Sequence, residues 1–194
     1  LHTFKPVRKA EVRIIPLTDI AAQSVVELAT LVHGPGYLDK ATLMQWQSLG
    51  QSAGGNANFI ALADEQLVGY RLSFSAGNWL QDEWCSPDLW PVSATELAYF
   101  KSVAVHPAWQ GLGIGQQLLQ QAIAALRQQG AKAGLAHLWR ESPHNSAVRY
   151  FSKAGGRLLK VHPNRWQHLS AAGYLCPRCG ALCYCSAAEM VLEF

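Results

Sequence analysis

The sequence predicts an α/β fold: a mixed central sheet flanked by helices, with a C-terminal hairpin that carries a small cysteine-rich, metal-binding loop. Three observations predict it. Short apolar, β-branched runs alternate with stretches whose apolar residues recur at helical spacing, the pattern of a layered α/β domain. Near the middle, Val103-Ala-Val-His-Pro-Ala-Trp-Gln-Gly-Leu-Gly-Ile-Gly115 joins a strand end to a glycine loop that opens directly into an amphipathic helix. Near the C-terminus, four of the five cysteines fall between two strand-like segments, within Cys176-Pro-Arg-Cys179-Gly-Ala-Leu-Cys183-Tyr-Cys185.

The elements follow in order. Glu11 to Ile15 is a first strand, with Val12 and Ile14 alternating against Glu11 and Arg13. Asp19 is a candidate cap for a helix from Ile20 to about Val32, which Gly34-Pro-Gly36 breaks. Asp39 to Trp46 reads as a second short helix and Gly50 to Asn58 as a loop. Two strands, 59–63 and 66–74, flank an Asp64-Glu65 turn. The segment from about Ala76 to Thr95 is long for a loop in a compact domain. It interleaves Trp79, Trp84 and Trp90 with Asp82, Glu83 and Asp88; the tryptophans either pin it to the core or, with the carboxylates, receive a cationic amine. Beyond the glycine loop, Leu118, Leu119, Ala122, Ile123, Ala125 and Leu126 make one stripe of a helix from Gln116 to Gln129, closed by Gly130. A short strand, 135–139, comes next. Pro143 to Gly156 begins with a cap-like Asn145 or Ser146 and ends at glycines, as a helix does. The closing hairpin spans about Gly156 to Arg165 and Ala188 to Phe194.

At 194 residues and 49% hydrophobic, the chain can bury a real core, and one domain over residues 1–194 is expected. A net charge of +3 with no block of five like charges gives no footprint for nucleic acid. No apolar run approaches the ~18 residues of a membrane helix, and the start lacks signal-peptide architecture. The chain opens on Leu1 rather than Met, which leaves room for a native start upstream. A cytoplasmic location is the expectation; the oligomeric state is not encoded in any of these features.

Glycine lets the backbone approach a ligand with no Cβ in the way. The first N–H groups of a helix have no internal partner and carry the positive end of its dipole. The strand–loop–helix unit is therefore an anion cradle suited to a pyrophosphate. A Walker loop would end in Gly-Lys-Ser/Thr, whereas Gly115 is followed by Gln116-Gln117. A dinucleotide fingerprint needs G-x-G-x-x-G and an acid about twenty residues on; the spacing here is G-x-G-x-G, and no acid lies around Leu135. What remains, Gln110-Gly-Leu-Gly113-Ile-Gly115 after Val103-Ala-Val105, resembles the Q/R-x-x-G-x-G/A signature of the GNAT superfamily, the acyl-CoA-dependent N-acyltransferases. The stretch from Asn145 to Gly156 resembles that family's second motif, N-x-x-A-x-R-[FY]-Y-x-x-x-G-F. The resemblance is close over about residues 96–165, the expected cofactor-binding core.

The resemblance implies acyl transfer, most simply of acetyl, from coenzyme A to the amine of a small molecule or peptide. Strand backbone at Val103 and Val105 would hold the pantetheine. Gln110, Gly111, Gly113, Gly115 and Gln116 would bind the pyrophosphate of acetyl-CoA, and Asn145 would be a further cofactor contact. Many relatives carry a tyrosine at the start of Y-x-x-x-G-F, where its hydroxyl protonates the leaving thiolate. That position is Phe151 here; Tyr150 is adjacent but points about a hundred degrees away on a helix and reads as packing. The family's frequent motif-strand glutamate falls on Tyr99, and Glu96 three residues earlier faces the other side of an ideal strand. Tyr99 and Glu96 are the candidate proton relay of a slow enzyme. These departures keep a second reading in play, a non-catalytic acyl-CoA-binding sensor.

The cysteines suggest a third class. Cys176-Pro-Arg-Cys179-Gly180 resembles a zinc knuckle, in which amide N–H groups point at thiolates and a glycine with positive φ follows the second ligand. The second half, Cys183-Tyr-Cys185, is tighter than Cys-x-x-Cys, and the three-residue spacer is short. A structural metal, zinc or iron, held by Cys176, Cys179, Cys183 and Cys185 is the expectation, with disulfides and free thiols as the alternatives. Such a site would be closed to water and would organise the loop from Gln167 to Ser186. A zinc-ribbon interaction module would use it for a partner, but Arg178 is the only basic residue between the clustered cysteines.

Overall fold

The computed structural model describes residues 11–194. The first strand, β1 (Val12–Pro16), leads through a 3-10 turn at Asp19–Ala21 into α1 (Ala22–His33). Asp19 therefore lies inside that turn instead of capping the helix, and no side chain caps either start. Asp39 does cap α2 (Lys40–Leu49), its Oδ1 accepting from the Thr42 N–H at 2.7 Å. The expected loop after α2 contains a two-rung hairpin, β2 (Gln51–Ser52) and β3 (Gly55–Asn56). β4 (Phe59–Ala63) and β5 (Gln66–Phe74) turn over Asp64 and Glu65, both at positive φ, as a two-residue hairpin with right-handed strand twist demands.

β6 (Leu97–Val105) follows the tryptophan loop. α3 (Ile114–Gln128) starts two residues earlier than its apolar stripe suggested, because Gly113 itself is the N-cap. β7 (Ala133–Trp139), α4 (Ser146–Lys153), β8 (Arg157–His162), the short α5 (Gln167–Ala171) and β9 (Ala187–Glu193) complete the chain. Asn145 stands at the cap position of α4 but makes no capping bond; the Ala147 N–H is taken by Ser142 Oγ at 3.2 Å.

The strands form one seven-stranded sheet in the order β1-β4-β5-β6-β7-β9-β8, antiparallel except for β6 and β7. α1 and α2 cover one face, burying Val25, Leu28 and Leu43 against Tyr70 and Leu72. α3 and α4 cover the other, with Leu118, Leu119, Leu126 and Phe151 packed on Ala98 and Phe100. Full burial of each such side chain contributes roughly 1.5–3 kcal/mol.

Two irregularities position the site. β6 and β7 pair only through Leu97↔Ala133, Ala98↔Gly134 and Tyr99↔Leu135. Beyond Tyr99, β6 stays with β5 while β7 stays with β9, so the two strands splay. The second irregularity is a bulge in β6: Leu72 pairs with Ser102 and Ser73 with Phe100, leaving Lys101 as the extra residue. An extra residue inverts the alternation of side chains. Tyr99 therefore faces the α1–α2 side, packed with Phe74, although Val105, six residues on, packs with the α3 cluster.

Candidate functional site

The splay opens a cleft of about 1470 Å³. Small-molecule pockets usually hold ~300–1,000 Å³, so there is room for a long cofactor and a second substrate together. Its floor is β6. The His106 N–H donates to Val68 O across the sheet at 2.8 Å, so by alternation the Val103 and Val105 main-chain groups point the other way, into the gap. Their carbonyls confirm the direction. His33 Nε2–H donates to Val103 O at 3.0 Å, and Gln110 Nε2 donates to Val105 O at 3.0 Å. Burial holds the His33 imidazole down to about 4, so it is neutral near pH 7 and presents its N–H. The N–H groups of Val103 and Val105 face the gap with no strand beside them.

At one end of this floor the glycine loop meets α3. Gly111 (φ 77°) and Gly113 (φ 81°) adopt left-handed backbone that a side chain would strain, and a Cβ at either would meet nothing within 4 Å. The loop is thus an open cradle of main-chain N–H groups at a helix N-terminus. Gln116 lines it with a buried side-chain oxygen that has no protein partner. Gly115 backs onto Val105: a Cβ at that glycine would stand 3.9 Å from Val105 Cγ2, so the helix start sits directly on β6. Asn145 is exposed at the start of α4; its neighbours His144 and Ser146 line the cleft.

Tyr99 lies on the opposite face of β6. Its hydroxyl is 2.7 Å from His137 Nδ1, and His137 Nε2 is 2.7 Å from Trp84 O. A carbonyl can only accept, so Nε2 carries the proton and neutral His137 Nδ1 accepts from Tyr99. Burial raises the Tyr99 hydroxyl well above its ordinary value and lowers His137 to about 4. Behind His137, His162 Nε2 is 2.8 Å from Glu189 Oε2, while Glu189 Oε1 accepts from the Ser86 N–H and Trp90 Nε1. His137, His162 and Glu189 are close enough to surround an ion, but each of these contacts is already satisfied within the protein. Glu96 is elsewhere. It ends a 3-10 turn, pairs with Lys132 and accepts from Ser93 Oγ, outside the cleft.

The tryptophan loop divides its labour. Trp79 donates to Leu97 O at 2.8 Å and Trp90 to Glu189, which pins the loop to the sheet. Trp84 lines the cleft instead, with the Arg165 guanidinium 5.2 Å from its ring centre. Below the floor, Arg71 is buried with no carboxylate in reach among the described residues. It donates to the Tyr150 hydroxyl and lies 5.3 Å from the Phe100 ring centre, so Tyr150 has a polar partner as well as packing. Burial lowers the Arg71 guanidinium to about 9.

The cysteine loop forms one wall of the same cleft, through Cys176, Cys183 and Cys185. All four clustered sulfurs lie within 4.8 Å of one another. The Cys176–Cys185 and Cys179–Cys185 sulfurs are 3.8 and 3.6 Å apart. A disulfide would require ~2.05 Å; a tetrahedron with metal–sulfur bonds of ~2.3 Å has edges of ~3.8 Å. Main-chain N–H groups of Cys179 and Cys185 point at Cys176 and Cys183 sulfurs, each at 3.4 Å, and Gly180 has φ 82°. The donor set and its spacing suit a four-thiolate metal site.

A strand, a glycine-capped helix and a splayed parallel pair around a long cleft can be compared with known proteins. The profile of the acetyltransferase (GNAT) family matches residues 22–156. The chain belongs to that family. No curated protein matches it by sequence. The GNAT fold is shared with a putative acetyltransferase, yncA, from Salmonella typhimurium, solved with acetyl-CoA: 17% identity, TM-score 0.66, covering 94% of this chain and 93% of that one. It is shared with the ribosomal-protein-S18-alanine N-acetyltransferase from Escherichia coli, at 14% identity and TM-score 0.65 over 94% of both chains. A GNAT family acetyltransferase from Elizabethkingia anophelis with acetyl-CoA bound aligns at 18% identity and TM-score 0.64, over 94% of this chain and 98% of that one. At these identities the likeness is one of fold.

Within this GNAT chain, sequence patterning missed His137, Lys101, Arg165 and Arg71. A signal existed for two of them: Arg71 and Lys101 each interrupt an otherwise apolar strand, and a charge inside a buried strand needs a reason. No helix among the described residues is long and apolar enough to cross a membrane.

Proposed function

We propose that the chain is an N-acyltransferase moving an acyl group, acetyl in the simplest case, from coenzyme A to an amine. The observation that carries this reading is the pair of Val103 and Val105 N–H groups facing the gap, in line with the open glycine cradle. In this reading those N–H groups hold the pantetheine and polarise the thioester carbonyl. The Gln110 to Gly115 loop and Gln116 take the pyrophosphate, and Asn145 adds a contact at the start of α4. A neutral amine attacks the thioester carbon; the N–C bond forms, the C–S bond breaks and its electron pair leaves on sulfur. The amine proton passes to the Tyr99 oxygen while Tyr99 gives its own proton to His137 Nδ1, the 2.7 Å hydrogen bond supporting that relay. Glu96, held by Lys132, takes no part.

The four-cysteine cluster is read as a structural zinc site that fixes the cleft wall, for which the sulfur spacings are the support. It has no open position for water and no role in the chemistry.

Turnover of acetyl-CoA with a broad panel of amines, followed by release of free thiol, tests the reading. Thiol release that depends on both the amine and Tyr99 is the expected result. Tight coenzyme A binding with no release for any amine would favour the sensor instead, a reading that Phe151 supports because it stands, fully buried, where relatives carry an acidic hydroxyl.

A further inference from the structure

The acceptor side of the cleft holds two cations that acyl transfer itself does not use. Lys101 is the bulge residue of β6, and its side chain lies over Trp46 of α2, on the face that also carries Tyr99. Its Nζ sits 4.4 Å from the Trp46 ring centre, and no carboxylate of the described residues lies within ion-pair distance. Arg165 is 8% exposed; one Nη donates to Asp82 at 3.2 Å, and its Nε is buried with no partner. Lys101, Tyr99, His137 and Arg165 line the same cleft.

Among the described residues, Asp82 is the only carboxylate paired with either cation. The Asp82 side chain is 50% exposed and Glu83 is exposed, so both sit at a watery rim while the cations form the floor. Holding Lys101 there has a cost: burial first, and then Arg165, outweigh the opposing charge of Asp82 and lower its ammonium to about 8. A buried cation with spare donors is relieved by an arriving anion, and charge-assisted hydrogen bonds are about twice as strong as neutral ones. A planar guanidinium that uses only one Nη for Asp82, in the same cleft as an unpaired lysine, suits a carboxylate in particular.

We propose that the acceptor is an amine that carries its own carboxylate close by, an amino acid or similar zwitterion, with the carboxylate on Lys101 and Arg165 and the amine facing Tyr99. This rests on the acyl-transfer reading for the word acceptor, but the anion site can be tested without turnover. The probes are the twenty protein amino acids, together with the amides of glycine, leucine, phenylalanine and tryptophan as matched partners lacking the charge. Binding to the protein saturated with coenzyme A is measured by calorimetry, and thiol release from acetyl-CoA is followed in parallel. At least one matched acid should bind tenfold or more tightly than its amide. Lys101→Met should bring acid and amide within twofold while leaving coenzyme A affinity as in wild type; Arg165→Gln, with its melting curve checked, serves as the second variant. No binding by any amino acid, or equal binding of every acid and its amide, overturns the proposal. Selective acid binding without thiol release keeps the anion site and removes acyl transfer. Release with acids and amides at equal rates does the reverse.

Discussion

Gly113 offers the sharpest test of the cofactor cradle, because strain and charge can be separated there. The residue caps α3 at φ 81°, and a Cβ would meet no atom within 4 Å. Any L residue pays about 1–2 kcal/mol for that backbone conformation. For a chain of this size each kcal/mol lowers Tm by about 2–4 °C, so Gly113→Ala and Gly113→Glu should both melt roughly 2–8 °C below wild type. Their cofactor binding should differ. A methyl group in open space leaves the N–H groups available, whereas a glutamate brings a like charge to the cradle, taken for scale at roughly 5 Å from a phosphate. At an effective dielectric constant of ~20, that repulsion is about 3 kcal/mol, or on the order of a hundredfold in Kd. Calorimetry with acetyl-CoA at low ionic strength is the assay, since salt screens the effect. Unchanged affinity in Gly113→Glu would refute the cradle, and an equal loss in both variants would assign the effect to strain.

Tyr99→Phe and His137→Gln should each lower turnover by about tenfold, the scale of lost acid–base help, with coenzyme A affinity unchanged and Glu96→Gln neutral; a loss in Glu96→Gln alone would redraw the relay. Elemental analysis of protein purified without a metal resin should find about one zinc per chain, and chelation should lower Tm while sparing coenzyme A binding; no zinc or iron at all would remove the site. The unfolded chain protonates its histidines near pH 6.5, whereas burial keeps His33 and His137 neutral down to about 4, so their contribution is intact above pH 6.5 and falls as pH drops toward 4. His33→Gln, whose amide can still donate to Val103 O, should flatten the slope of Tm against pH in that window; an unaltered slope would clear His33 of any part. Tyr150→Phe strips the buried Arg71 of its hydroxyl partner and should cost about 1–3 kcal/mol in denaturant unfolding, most of it regained in Arg71→Met/Tyr150→Phe; equal stability of wild type and the single variant would count against that pairing.

Much of this architecture is written in local patterns. The stripe from Leu118 to Leu126 follows helical period and is buried as that period requires. The Gly111 and Gly113 pair sits where only glycine is unstrained, and the clustered cysteines converge because a knuckle turn is local geometry. What stayed hidden depends on distant pairing. Asp19 looks like a cap, but the chain spends one more turn in a 3-10 conformation before α1 begins. His137 meets Tyr99 only because β6 and β7 run side by side up to that residue and then part. Trp84 reaches the cleft while Trp79 and Trp90 are tied to Leu97 and Glu189, a difference no spacing rule separates.

The proton relay shows most clearly why counting along a strand fails at the site itself. On an ideal strand, Tyr99, Val103 and Val105 would share one face, and a side chain three residues from Tyr99 would be on the other. The bulge at Lys101 inserts one residue and reverses that parity midway along β6. Val105 then packs on the α3 side, with the Val103 and Val105 main-chain N–H groups facing the gap, while Tyr99 packs on the opposite side and Lys101 lies there over Trp46. One inserted residue therefore separates a cofactor side from an acceptor side on a single strand. Lys101 shares the Tyr99 face, two residues on, and Arg165, three residues beyond β8, lines the same cleft. Deleting Lys101, the bulge residue, would leave Ser73 paired with Phe100 and Leu72 with Ser102, so β6 would alternate regularly and Tyr99 would keep its face. Such a variant would keep the Tyr99–His137 hydrogen bond and the glycine cradle while losing the lysine. Coenzyme A binding that survives the deletion while the preference for an acid over its amide vanishes is the outcome this geometry requires, and a retained preference would refute the part given to Lys101.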